Sequence, residues 1–149
     1  MLNDIPLEFI SNILSIVLVA ILIFKYLKHK KVIDVIKKLD DLKNENNLNS
    51  DDLAYIAQNQ NEFKVLSEKA DALAKFLNPV FILVVGVLFI YLPLSDAMIH
   101  LNVIVVAFIL IQLDKINKKN TLTLLKGLSE VTKKEEKGSL WKKFYLLSF

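Results

Sequence analysis

A chain of 149 residues with 54% hydrophobic and only 23% charged residues, and a mean hydropathy of +0.42, is too apolar for an ordinary soluble domain. Cysteine is absent, which excludes a disulfide framework, a thiolate metal site and a cysteine nucleophile. All 19 basic residues are lysine, so the guanidinium forks that clamp phosphates and guanine edges are missing even at a pI near 9.0, and nucleic acid is not an expected partner.

The first apolar run extends from about Ile5 to Leu27 and is densest over ILSIVLVAILIF. At ~1.5 Å per residue it crosses a hydrocarbon core of about 30 Å when Glu8 and Lys25 sit at the two interfaces. Acids precede it and KYLKHKK follows, the reverse of a cleavable leader, so residues 1–27 are predicted to stay attached as a spanning helix. Residues 28–75 are predicted to form a helical hairpin. KKVIDVIKKLDDLKNE repeats apolar residues at helical spacing as an amphipathic continuation of the first membrane helix, NENNLNS is a turn by composition, and Ser50 with Asp51 and Asp52 makes a helix start with a hydroxyl cap, opening a second arm that runs directly into the second span. In the second arm Leu53, Ile56 and Phe63 mark a heptad-like seam, directed either at the Val32–Leu42 face or at another subunit.

Two further runs, Phe76 to Leu94 and Ala97 to Leu113, make a transmembrane hairpin over residues 76–114 with its turn at 93–96, where Pro93, Ser95 and Asp96 interrupt the apolar sequence. Asn78 and Pro79 are predicted to kink the entry to the second span, and Gly86 to allow close helix approach. In the tail, residues 115–149, Leu122, Leu125 and Leu128 form one stripe, expected to lie on the membrane or on the connector hairpin. After Gly138 comes SLWKKFYLLSF. There Leu140, Trp141, Phe144, Tyr145 and Leu147 present an apolar surface and Lys142 and Lys143 reach for head groups, so 139–149 is read as an amphipathic helix docking on lipid or on a partner.

Orientation follows from lysine position. Lys25, Lys28, Lys30, Lys31, Lys69, Lys75, Lys115, Lys118 and Lys119 flank one set of span ends, and the N-terminus and the PLSDAMIH turn carry none. By the positive-inside rule the N-terminus and turn are outside and the connector and tail are cytoplasmic. The expected fold is therefore all-α and polytopic, with three transmembrane helices, a cytoplasmic hairpin between the first two and a C-terminal amphipathic helix.

Candidate chemistry is sparse. On a helix beginning at Ser95, Asp96 and His100 share a face with Asn102 close by, and Glu8 lies at the same end of the first span. These four residues are the candidate external polar cluster, competing with the plainer reading of a solvated, capped turn. Glu8, Ser11, Asn12 and Ser15 line one face of the first span, suited to helix packing. No phosphate-binding glycine loop, nucleophile elbow or zinc-protease motif is present, so no catalytic residue, cofactor or metal ligand is assigned and enzymatic activity is not expected.

The expected function is that of a non-enzymatic accessory, assembly or scaffold subunit in a bacterial inner membrane. Its expected partners are membrane lipids and either another membrane protein or a homo-oligomer. With three spans, an external N-terminus and a charged tail, the chain also resembles class I phage holins in outline, which implies an oligomeric pore. Its size and span number are similar to those of three-span colicin immunity proteins, which implies a membrane-embedded block on a pore-forming toxin.

Overall fold

The computed structural model describes residues 7–147 of the chain, with side chains described over 8–130. It contains three α-helices, α1 (Leu7–Asn44), α2 (Ser50–Tyr91) and α3 (Leu94–Leu147), and no strand among the described residues. Each is long and apolar enough to cross a membrane. As the sequence pattern predicts, the first span continues unbroken to Asn44 and the second arm runs into the second span as one helix. The third helix is longer than the pattern suggests, passing through Asn117–Asn120 and Gly127 without interruption. Pro79 is accommodated inside α2, where its ring costs one backbone hydrogen bond and leaves the helix assignment intact.

The breaks fall where the backbone groups at helix ends find local partners. Asn46 adopts a left-handed φ of 55°, a conformation asparagine tolerates better than most residues. Its N–H donates to Lys43 C=O at 3.0 Å and the Asn47 N–H to Leu42 C=O at 2.9 Å, the paired reversal that closes a helix C-terminus. Five residues later α2 opens on a reciprocal cap in which the Asp52 N–H donates to Asn49 Oδ1 at 2.8 Å and the Asn49 N–H to Asp52 Oδ2 at 3.1 Å. The cap is thus Asn49, not the Ser50 hydroxyl, because Ser50 is already helical. Between α2 and α3 only Leu92 and Pro93 are non-helical. The turn is shorter than 93–96: the Ala97 N–H bonds to Pro93 C=O at 2.9 Å, and Leu94, Ser95 and Asp96 form the first helical turn. Proline has no N–H to waste at such a start, and Asp96 faces the positive end of the helix.

The chain divides into two compact units, one of Met1–Lys30 with Glu68–Asn117 and one of Lys31–Ser67 with Lys118–Phe149. The first unit holds the apolar bands. Very little of them is buried within the molecule; Ile82 and Ile90 are 75% and 76% exposed. Apolar surface of this extent suits lipid rather than water. Where helices meet, the contacts use small residues, with Ala70, Ala74 and Ala97 buried, and an edge-to-face pair of Phe81 and Phe108 at 5.4 Å between centroids. Among the described residues nothing lies within 4 Å of a Cβ built on Gly86, so none of their packing uses its lack of a side chain.

The second unit has a core drawn from all three helices: Ile36 and Leu39 of α1, Ile56 of α2, and Leu125 and Leu128 of α3, with Val32, Leu48 and Phe63 packed against them. Thr121 and Ser129 are buried beside the leucines on the same side of α3. Of the predicted seam residues, Ile56 is in this core at 2% exposure, Phe63 packs against it, and Leu53 stands 41% exposed. Leu53 is rotated about 60° around α2 from Ile56, and Leu48 from the turn packs on the cluster instead. Truncating Ile56 to alanine should therefore lower the stability of this unit by roughly 2–5 kcal/mol. Leu53→Ala should change it by less than about 0.5 kcal/mol. Thermal unfolding followed by circular dichroism in detergent micelles would read both, and equal losses would contradict the core as described.

Candidate functional site: polar clusters at the ends of the apolar bands

At the end of the first unit that carries the α2–α3 turn, Ser11 of α1 and His100 of α3 are joined by a hydrogen bond of 2.6 Å between Oγ and Nδ1, whose donor depends on the imidazole tautomer. Ser11 is buried and His100 half-buried. The sequence places Ser11 on the polar stripe of the first span but gives no sign of its partner, because the contact joins residues 89 positions apart. The other members of the predicted cluster do not converge on His100. Asp96 accepts from the Ser95 hydroxyl at 3.0 Å, a local bond within the first turn of α3. Glu8 and Asn102 are exposed. No group of three or more His, Cys, Asp or Glu side chains among the described residues is placed to hold a metal ion. The Ser11–His100 pair therefore lacks an orienting carboxylate, and its arrangement suits fastening α1 to α3.

The opposite end of the unit is tied by charge. Lys25 of α1 bonds Asp114 of α3 at 2.9 Å. Asp71 of α2 bridges two lysines at 2.7 Å each, Lys115 of α3 through Oδ1 and Lys75 one turn along its own helix through Oδ2. Just inward, Gln112 Nε2 donates to Asn78 Oδ1 at 2.7 Å. Lysine counting alone treats these flanks as positive charge. The informative signal is the acid inside each one, Asp71 in EKADALAKF and Asp114 in QLDKINKK.

These contacts define a register. Ser11–His100 and Lys25–Asp114 have the same offset of 89 residues, so α1 and α3 run parallel and in step over four turns, ~21 Å at ~1.5 Å per residue. Asp71–Lys115, Asn78–Gln112 and Phe81–Phe108 step in opposite directions along their helices, as an antiparallel pair must. These contacts tie α3 to α1 at both ends of an uncharged band and to α2 at the end that carries Asp71.

Electrostatics are perturbed chiefly at Asp71. Hydrogen bonds from Lys115 and then Lys75, reinforced by their charge, hold its carboxyl down to about 2, and the Lys75 ammonium is raised by the same contact. Partial burial lowers the His29 imidazole below its ordinary value. The aromatic tail residues Leu140, Trp141, Lys142, Lys143, Phe144, Tyr145 and Leu147 lie outside the residues whose side chains are described.

Comparison with known proteins finds no matching family model, no matching curated protein and no matching solved structure. The Asp71 bridge is directly testable. Because its folded-state pKa is depressed, the stability it contributes is present above the ordinary carboxylate value of 3.8 and is lost as pH falls through about 2. Carboxyl-carbon NMR in detergent micelles should give Asp71 a midpoint near 2, displaced upward in Lys115→Gln. A midpoint of 3.8 in the unaltered protein would contradict the bridge.

Proposed function

We propose that this chain is a non-enzymatic integral protein of a bacterial inner membrane, acting as an accessory, assembly or scaffold subunit through its cytoplasmic helices. Residues 28–75 form the cytoplasmic hairpin in this reading, and the amphipathic segment 139–149 docks on lipid or on the partner. The N-terminus and the α2–α3 turn lie outside. The orientation is supported by the lysine belt at one end of the spans and its absence at the other.

One observation carries the functional reading. Val35, Tyr55, Val65 and Leu124, all in the unit rich in lysine and acidic residues, are exposed although that unit has its own buried core. In the proposed orientation these side chains face water rather than lipid, and apolar and aromatic groups set among charges are the composition of a protein-binding surface. Four polar pairs at the span ends meanwhile engage across helices, an arrangement suited to cohesion.

The test is purification of the full-length protein in mild detergent beside a version ending at Gly138, with co-purifying proteins identified by mass. A stoichiometric partner that is lost or weakened on truncation is the expected result. A partner-free homo-oligomer indifferent to truncation would overturn the accessory role. Orientation is read separately in intact cells with a membrane-impermeant maleimide, which should label Ser95→Cys and leave Asn47→Cys unlabelled in this cysteine-free chain.

A further inference from the structure

The register of the first unit leaves one side of α3 without a partner of its own. Met98, Asn102, Val105 and Ile109 are all exposed there, and their steps of four, three and four residues place them in one line along the helix. None of them takes part in the polar and aromatic contacts by which α3 meets its neighbours in this unit, His100 and Asp114 with α1, and Phe108, Gln112 and Lys115 with α2.

Lipid alone is a poor cover for such a line because of Asn102. Its side chain has no hydrogen-bond partner among the described residues. It lies six residues, ~9 Å, beyond Asp96 on the way to Asp114, and so within the uncharged band. A carboxamide facing hydrocarbon leaves two donors and an acceptor unsatisfied, and in a membrane such groups draw helices together. The spacing identifies the kind of helix that fits, since a line repeating every three and four residues is the seam of a left-handed coiled-coil pair.

We infer that α3 associates with α3 of a second copy of this chain along Met98, Asn102, Val105 and Ile109, with the two Asn102 amides hydrogen-bonded to each other. Identical chains inserted in the same direction bring Asn102 to the same depth in both copies, so donor meets acceptor without any adjustment of register. A single asparagine in an apolar seam is also the device that fixes a two-stranded, parallel, in-register pairing. The inference rests on the membrane placement in the preceding section and is independent of the accessory role.

The test uses the full-length protein, which contains no cysteine, in vesicles of phosphatidylethanolamine and phosphatidylglycerol. Oxidation of Val105→Cys should give a disulfide-linked dimer, and Ile82→Cys, exposed on α2, should give little. Adding Asn102→Leu should weaken dimerisation on the order of 10-fold, measured by dilution with lipid, and Asn102→Gln should restore most of it. Cross-linking of Val105→Cys that is absent, matched by Ile82→Cys or unaffected by Asn102→Leu would overturn the inference. Flotation of the vesicles separates the two levels. Protein that floats but does not cross-link removes only the dimer, whereas protein that fails to float removes the membrane placement as well.

Discussion

In hydrocarbon no water is available to a free N–H or C=O, so a segment that crosses it must satisfy its backbone internally. This constraint organises the whole chain. The three helices run 38, 42 and 54 residues, far beyond what a bilayer requires, and among the described residues the backbone leaves the helix only twice, at residues 45–49 and 92–93. At both places the orphan groups are met within a few residues. The Asn46 reversal and the Asn49–Asp52 box close one gap, and the Pro93 carbonyl accepting from Ala97 closes the other.

Once the backbone is satisfied, what remains is to hold three smooth cylinders in one register without a hydrophobic force between them. Small residues allow close approach at Ala70, Ala74 and Ala97, and polar pairs set the axial position. A serine–histidine hydrogen bond holds one end and ion pairs hold the other, Ser11 to His100 and Lys25 to Asp114, with the Asp71 bridge tying α2 to α3. Surface ion pairs contribute little to stability in water. Their value here is positional, because a slip of one turn would separate every one of them.

Much of this was legible in the residues. Apolar runs of span length, the punctuation at Pro93 and the asparagine cluster at 44–49 are local signals, and they locate the helices and both turns. The unbroken reach of α3 was not legible, because a polar, lysine-rich stretch is as good a helix former as the apolar run before it and nothing compels a break between them. Capping was misjudged by one residue, since Asn49 and Ser50 are equally able caps and the choice depends on where the turn ends. Long-range pairs were invisible: periodicity shows that Leu125 and Leu128 form a stripe but not that Ile56 and Leu39 lie beneath it. Likewise Glu8 joined the grouping with Asp96, His100 and Asn102 by depth alone, whereas azimuth between helices decides contact, and it selects Ser11 of α1 for His100.

The two-residue link between α2 and α3 has a consequence for biogenesis. Leu92 and Pro93 together span less than about 7 Å even when fully extended. Neither helix can therefore wait in the bilayer while the other remains in solution. In the proposed orientation the pair enters lipid as a single hairpin of some forty mostly apolar residues, carrying Asp96 and His100 with it in the same event. Lengthening that link would allow the two helices to enter one after the other, and the order of insertion would then depend on each span's own hydrophobicity rather than on the sum of the two.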